Sequence, residues 1–325
     1  MPLWRDDAAL TRRCPADRMR RRTPRHRAFA FVLAVVAWCC AGSVGARAEP
    51  FGPLPLHEAA AAGDARSRFF LGLWYLNGGG VPRDAAEGAR WVRMAAEQGY
   101  SRAEAHLGTL HAWGLGTTQD YAEAMHWFRR AADHGDPAGQ YGIGVLHFQG
   151  WGVPQDFTTG FAWTLRAAEA GHANAQAAVG TSYYVGRGVA RDDAEAARWY
   201  RRAADQAHPV GQLQFGVLYD LGRGVTRDEA EAARWYRLAA DQGHPKAQNN
   251  LGLLHVDGRG VARDYGEAMR LFRLAAEGGE TNAQINLGDL YRDGLGVPRD
   301  RAAAMTWYRR AAEAGNPLAR ERLAE

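Results

Sequence analysis

A period of 36 residues, carried by seven copies of one pattern, constrains this chain more than any other feature of its sequence. Every copy has a glycine at one position, a Gly-x-Gly turn motif that begins six residues later, and an aspartate six residues after that. The first of these glycines are Gly72, Gly108, Gly144, Gly180, Gly216, Gly252 and Gly288. A fixed period of this size is typical of solenoids, in which each unit buries its apolar face against its neighbours. The repeat therefore predicts one solenoid of seven units.

The first half of each unit has the pattern of an amphipathic helix. In the sixth unit, Ala247, Leu251 and Leu254 recur on one helical face. Gly252 lies in the middle of that helix, where glycine costs about 1 kcal/mol relative to alanine. Because this cost recurs in every unit, we expect two helix backbones to approach each other closely at the glycine.

The second helix of each unit is predicted to begin at the recurring aspartate. In the fifth unit, Asp228 and Glu231 have the spacing of a capping box. In that motif the aspartate accepts a bond from a backbone N–H of the helix, and the glutamate reaches back to the aspartate's own N–H. Trp235 lies on the same helical face as small alanines, so we expect the tryptophan column to be buried core.

The complete pattern resembles the Sel-1-like repeat family, a relative of the tetratricopeptide repeats. In the sixth unit the matching residues are Ala247-Gln248, Leu251-Gly252, Gly258-x-Gly260-Val261, Asp264, Glu267-Ala268, Ala275-Ala276 and Gly279. The resemblance covers the chain from about Leu56 to its end. It implies an all-α fold, an α/α superhelical solenoid of seven helix-turn-helix repeats with half-repeats at each end. It also implies a scaffold or adaptor that binds proteins.

The first 48 residues have the features of a secretory signal. Five arginines between 20 and 27 precede an apolar run from Ala28 to Ala41, and Ala46-Arg47-Ala48 has the small-x-small pattern of a cleavage site. The apolar run is short for a permanent anchor. We therefore expect residues 1–48 to be a signal peptide, with Met19 as an alternative start. The mature solenoid, 49–325, is then periplasmic or secreted, with no stable membrane span after cleavage.

Charge and cysteine content separate the leader from the solenoid. Ten of the 40 basic residues, but only three of the 36 acidic residues, lie within 1–48, which leaves residues 49–325 with a net charge near −3. This balance argues against a nucleic-acid partner. All three cysteines also lie in the leader, so we expect the mature chain to be stabilised by packing alone.

The sequence offers little for catalysis, and we expect no enzymatic activity and no cofactor. Relatives linked to β-lactam hydrolysis leave a hydrolase as an alternative, but those relatives are rich in cysteine. Lys246, the only lysine, has no serine three residues before it, so a Ser-x-x-Lys site is absent. His172, His208 and His244 recur once per unit, too far apart to share one metal ion, and are predicted to be cap residues.

Variable positions of the repeat are the predicted partner-binding residues. In the first helices and at one loop tip they are aromatic: Phe69, Trp113, Tyr141, Phe148, Trp151 and Tyr184. First helices line the inner surface of tetratricopeptide-like solenoids, so the resemblance implies a groove for a protein or peptide partner. We expect Tyr141, Phe148 and Tyr184 to form a continuous aromatic patch, although packing as ordinary core is an alternative. A cell-wall or carbohydrate-binding module, with Trp113, Trp151 and Tyr184 as stacking platforms, is the second functional hypothesis.

Overall fold

A computed structural model describes residues 53–324, so the predicted signal peptide and the alternative start at Met19 lie outside the described residues. Helices are the only regular elements in this range. In chain order they are α1 Pro53–Ala61, α2 Ala65–Asn77, α3 Ala85–Glu97, α4 Ser101–Trp113, α5 Tyr121–Asp133, α6 Pro137–Gln149, α7 Phe157–Glu169, α8 Ala173–Val185, α9 Asp193–Asp205, α10 Pro209–Leu221, α11 Glu229–Asp241, α12 Pro245–Asp257, α13 Tyr265–Glu277, α14 Thr281–Asp293, α15 Arg301–Glu313 and α16 Pro317–Ala324.

The helices stack as the repeat predicts. Units 1 to 7 are the pairs from α2–α3 to α14–α15, and α1 and α16 are the half-units at the two ends. We call the first helix of each unit its A helix and the second its B helix. Each B helix packs against its own A helix and against the next one, and A helices of neighbouring units touch at two places, α4 with α6 and α8 with α10. The A helices therefore form the inner layer of the solenoid, and the predicted fold class is confirmed.

The mid-helix glycines make room for two different kinds of contact. In five units an aromatic ring of the B helix lies on the glycine, and a Cβ added to Gly108 would lie 2.6 Å from the ring of Phe128. In units 1 and 3 the B helix has a glycine of its own, and a Cβ on Gly72 would lie 2.9 Å from the carbonyl oxygen of Gly88. The expected backbone approach is therefore right for two units. In the other five, the ring of the B helix occupies that space.

Aspartates begin the seven B helices, as predicted, but the reciprocal glutamate bond is wrong. Asp228 accepts bonds from the backbone N–H groups of Ala230 and Glu231, at 2.9 and 3.0 Å. Its own N–H already donates to the carbonyl oxygen of Tyr219, at 3.0 Å. Because no N–H is left for it, Glu231 instead pairs with Arg234 at 3.3 Å.

The turn after each B helix needs a left-handed residue. Glycine fills this position in six of the seven units, and Ala207 fills it in unit 4 with a φ of 56°. An L-residue with a Cβ is strained in this conformation.

Within the described residues, no helix has the length and apolar character needed to cross a bilayer.

Candidate functional site

The candidate site is the inner face, which we define as the fifth, ninth, twelfth and thirteenth positions of the A helices. These positions differ from unit to unit, whereas the positions that face the B helices stay the same. The inner face is mainly apolar or aromatic in units 1 to 4. Toward the C-terminus it includes Asn249, Asp289 and Arg292. A surface that varies on a fixed scaffold is where recognition residues are expected.

Three rings predicted to form one patch each pack against a different neighbour. Tyr141 stacks on His172 with ring centres 5.1 Å apart, and Phe148 lies 6.3 Å from Phe157. Tyr184 lies beneath the guanidinium of Arg223, 3.9 Å from its ring centre. All three rings are half-buried. Tyr141 and Phe148 also pack against one buried cluster and Tyr184 against another, so the three rings are partly core, and each leaves part of its surface exposed.

Phe69, at the N-terminal end of the inner face, is much less accessible. Its ring packs edge-on against Tyr100 and His106, with ring centres 5.5 and 5.7 Å away. Only 7% of the residue is exposed. It contributes to the junction between units 1 and 2 and leaves little surface for a partner.

Trp113 and Trp151 are brought together in one aromatic cluster. Their rings meet edge-to-face with centres 5.3 Å apart, and Trp151 also stacks on Tyr121 at 5.4 Å. The sequence reasoning treated Trp151 as an exposed loop tip, and this is wrong because the residue is half-buried between two rings. It also missed Tyr121, the third member of the cluster.

The same contact recurs at other junctions with different chemistry. The residue between the two turn glycines of one unit meets the first residue of the B helix of the preceding unit, 30 positions earlier. Trp151 stacks on Tyr121, Arg187 lies over the ring of Phe157 at 5.4 Å, and Arg223 binds Asp193. At the next junction Arg259 lies 3.5 Å from Glu229. We call each such pair a latch.

The latch of Arg223 and Asp193 is the most strongly electrostatic of these pairs. Two nitrogens of Arg223 donate to the two carboxylate oxygens of Asp193, at 3.0 and 2.8 Å. These bonds, with those from Arg191, hold the pKa of Asp193 far below its ordinary value. Because the same guanidinium covers Tyr184, this latch also fixes one aromatic ring of the inner face.

Two exposed apolar residues of units 4 and 5 were missed by the sequence reasoning. Val185 is 52% exposed and Leu221 is 55% exposed. Both occupy the thirteenth position of their A helices, in units 4 and 5, where units 6 and 7 carry aspartate. The signal was present in the sequence as a change from aliphatic to acidic residues along this column.

The C-terminal end of the inner face is held by buried polar groups. Asn286 donates to the side-chain oxygen of Asn249 at 2.8 Å. Asp289 accepts a bond from the hydroxyl of Tyr308 at 2.7 Å and lies 3.3 Å from Arg322 of the terminal half-unit. Burial raises the pKa of Asp289 above its ordinary value. This network attaches α16 to the last complete unit.

The recurring histidines act mainly as caps. The Nδ1 atoms of His172 and His208 accept from the backbone N–H groups of Ala175 and Gly211, at 3.2 and 3.1 Å, whereas His244 makes no such cap bond. Burial lowers the pKa of His172 and lowers that of His208 to about 4. Within residues 53–324, no group of three or more His, Cys, Asp or Glu side chains is arranged to hold a metal ion.

Two solved structures resemble this chain closely enough to compare whole folds. One is a protective antigen present in uropathogenic Escherichia coli strains, which displays an SLR fold; it is 37% identical, with a TM-score of 0.69 over 84% of this chain and 59% of that protein. This chain thus spans 59% of the antigen's length. The other is a Sel1 repeat protein from Oxalobacter formigenes, 33% identical, with a TM-score of 0.63 over 83% of this chain and 78% of that one. Comparison with curated proteins gives no match.

A family model confirms the repeat register unit by unit. The Sel1 repeat matches seven consecutive segments: 65–100, 101–136, 137–172, 173–208, 209–244, 245–280 and 281–316. Each segment is one A helix and one B helix of the structure. The chain therefore belongs to the Sel1 repeat family.

Proposed function

We propose that this chain is an exported, non-enzymatic scaffold that binds an apolar segment of a protein partner on the inner face of units 3 to 5. Sel1 repeat proteins are generally scaffolds for interactions between proteins. The observation that carries the proposal is the pair of exposed aliphatic residues, Val185 and Leu221, at equivalent positions of consecutive units. Covering apolar surface gains about 25 cal/mol per Å².

The half-buried aromatic rings complete this surface. Tyr184 precedes Val185, and Phe148 occupies the twelfth position of the preceding unit, as Tyr184 does in its own. Phe157, which contacts Phe148, is 38% exposed. Aromatic residues at the centre of an interface commonly contribute most of its binding energy. An extended apolar peptide along successive A helices would meet these residues in turn.

A protein partner fits these contacts better than a glycan does. Stacking on a sugar needs an open ring face, but Trp151 already has Tyr121 stacked on it and Trp113 against it, and Tyr184 lies under Arg223. Exposed aliphatic side chains give a sugar no hydrogen bonds. The carbohydrate-binding alternative therefore has less support than the scaffold.

Site-specific photo-crosslinking tests the surface. A photoreactive residue at Leu221 should crosslink one envelope protein, and the same residue at Val185 should crosslink the same protein. Leu238 is the matched control, because it is also an exposed leucine, at 41%, but lies on a B helix. Crosslinks to the same protein from Leu238, or none from Leu221 and Val185, would contradict the proposed inner-face site.

Export is tested separately, by fractionation and intact mass. The motivation is the leader pattern of residues 18–48, and the solved relative described as a protective antigen is consistent with exposure outside the cell. The exported protein should begin at Glu49. A membrane-integral product that retains residues 20–45 would refute cleavage while leaving the inner-face proposal open to its own test.

A further inference from the structure

A cavity of about 370 Å³ lies between α3 and the loop that joins α4 to α5. Arg90 and Arg93 of α3, His111 of α4, and Thr118 and Asp120 of the loop line its wall. A volume of this size falls within the range of small-molecule sites, about 300–1,000 Å³. The cavity lies away from the surface proposed for protein binding.

His111 holds the guanidinium of Arg93 at this wall. Its Nε2 lies 2.9 Å from Nη2 of Arg93. A guanidinium can only donate, so Nε2 accepts and the proton of the neutral ring is on Nδ1. The residue is 6% exposed, and among the described residues Nδ1 has no acceptor. Because Nδ1 is fully buried, a ligand in the cavity meets the guanidinium of Arg93, which Nε2 holds in place, and not Nδ1.

The equivalent histidine of unit 6 shows what closes this site elsewhere. Nε2 of His255 lies 3.2 Å from Nη2 of Arg237 in the preceding unit, the same pairing as between His111 and Arg93. In unit 6, however, Nδ1 donates to the backbone carbonyl of Ala262 at 3.1 Å. Ala262 is the repeat equivalent of Thr118. The junction of units 1 and 2 therefore has the same arginine–histidine pair, but its loop carbonyl does not bind the second nitrogen.

Unit 3 lacks the rest of the arrangement. His147 also has an unpartnered Nδ1 among the described residues. Its loop, however, carries Val153 and Pro154 where unit 2 has two threonines. Unit 5 also has a threonine at the second of these positions, Thr226, but carries Tyr219 in the histidine column, so only unit 2 combines the histidine with a threonine here.

The charges around the cavity favour an anionic group near Arg93. Within residues 53–324, no carboxylate lies within ion-pair distance of Arg93, whereas Arg237, its equivalent in unit 5, lies 3.8 Å from Glu267. Arg90 pairs with Glu87 at 2.7 Å on the exposed side. Asp120 caps α5 through one oxygen, and its carboxylate disfavours a second anion at its own side of the cavity. The site thus has a cationic end and an end that accepts hydroxyl groups.

We propose that this cavity binds a small hydroxylated molecule with one oxyanion, a sugar acid or a sugar phosphate. The oxyanion accepts from the guanidinium of Arg93, whose Nη2 is held by Nε2 of His111, because a charge-assisted bond is the strongest that the wall offers. Hydroxyl groups of the sugar meet Thr118 and Asp120. A bare phosphate would leave the acceptor end of the cavity unused.

Calorimetric titration of the mature protein with four probes tests the ligand class. Glucuronate and glucose 6-phosphate should bind, and the tighter of the two distinguishes a carboxylate from a phosphate ligand. Glucose, which lacks the anion, and inorganic phosphate, which lacks the hydroxyls, should each bind at least about tenfold more weakly. Failure of both anionic sugars to bind with a Kd below about 10 mM would overturn the proposal, as would equal binding of glucose or phosphate.

Matched variants locate the binding. His111→Tyr introduces the residue that units 4, 5 and 7 carry at this position, and Arg93→Gln removes the cation. Each should weaken the better anionic sugar about tenfold, and Thr118→Ala, on the exposed loop, about threefold. His255→Tyr and Arg237→Gln make the same changes at the junction of units 5 and 6 and should leave binding unchanged. Equal losses at the two junctions, or unchanged binding in the His111, Arg93 and Thr118 variants alike, would refute this location.

Discussion

The junction between units 2 and 3 and the junction between units 4 and 5 share one backbone geometry and have opposite chemistry. In the first, Trp151 stacks on Tyr121 in an apolar cluster. In the second, Arg223 binds both carboxylate oxygens of Asp193. The fixed glycine and alanine columns set the distance between units. The two side chains of the latch can then be aromatic or ionic, provided that they are complementary to each other.

The same contrast extends toward the two ends of the inner face. Phe69 joins units 1 and 2 through aromatic contacts, whereas Asp289 and Arg322 join unit 7 to the terminal half-unit through a buried ion pair. Apolar contacts respond little to salt or pH, but ionic contacts respond to both. The two halves should therefore fail under different conditions.

Breaking the C-terminal network should have the largest effect. Asp289→Ala leaves the hydroxyl of Tyr308 and the guanidinium of Arg322 without their carboxylate in a buried site. Loss of one member of a buried pair costs about 3–5 kcal/mol, which urea denaturation would measure. Asp293→Ala is the control, an exposed acid of the same helix, and should cost less than about 1 kcal/mol. Similar losses in the two variants would mean that the network does not hold α16.

Acid should weaken the central junctions next. The pKa of His208 is lowered to about 4 because the ring is buried, with Nδ1 accepting the cap bond and Nε2 2.7 Å from Asn174. As pH falls through about 6.5, the unfolded chain takes up a proton that the folded ring does not accept until about pH 4. The histidine's contribution is thus complete above pH 6.5 and is lost toward pH 4, on the order of 3 kcal/mol.

A single substitution isolates this contribution. His208→Asn keeps a cap acceptor, as Asn316 does at the equivalent position, where its oxygen accepts from Leu318 N–H at 3.1 Å. Between pH 6.5 and 4 the variant should therefore lose less free energy of unfolding than the natural protein does. Parallel curves for the two proteins would assign the acid sensitivity to other groups.

The two latches can be compared directly by alanine substitution. Trp151→Ala should cost about 2 kcal/mol, since a half-buried indole is lost from a packed cluster. Arg223→Ala should cost about 1 kcal/mol at low salt, because an ion pair near the surface contributes less. In about 1 M NaCl the cost of Arg223→Ala should shrink and that of Trp151→Ala should not. The opposite dependence on salt would refute the division into apolar and ionic latches.

The smallest expected effect concerns the turn after α9. Ala207→Gly removes left-handed strain of about 1–2 kcal/mol and adds flexibility to the unfolded chain worth about 0.5–1 kcal/mol. A net gain of about 0.5–1 kcal/mol should appear as a raised Tm. Gly243→Ala, at the same turn one unit later, is the reverse control and should lower it. A gain of stability in both variants would contradict the strain argument.

The helix-pair scaffold was predictable from the sequence because a residue that recurs every 36 positions has similar surroundings in each unit. Gly252 and Asp228 belong to columns whose burial or capping is the same in every unit, so the period revealed their roles. The tryptophan column was predicted to be buried core, which is right for Trp127, Trp199 and Trp235, whereas Trp91, Trp163 and Trp307 are only half-buried. The capping glutamate was predicted wrongly because the N–H of Asp228 is taken by Tyr219, a contact between two helices. Such a contact depends on how the turn brings the start of the B helix back to the A helix. The spacing of residues within the B helix does not reveal it.

The latches were also present in the sequence, although at an offset of 30 residues rather than 36. Tyr121 with Trp151, and Asp193 with Arg223, are pairs of matched chemistry at this offset. The sugar-sized cavity at His111 was not predictable, because it depends on a loop carbonyl that binds His255 in one unit and misses its counterpart in another.

Each latch joins residues of two neighbouring units. Deletion of a unit therefore creates a new pair of residues at the junction, and the consequence depends on which unit is lost. Loss of 173–208 by unequal recombination would place Arg223 opposite Phe157, the same kind of pair that Arg187 makes now. Loss of 245–280 would instead place Leu295 opposite Glu229 and leave a carboxylate against an aliphatic chain. The gene can therefore lose the fourth unit and still encode a matched junction, whereas loss of the sixth unit needs a compensating mutation.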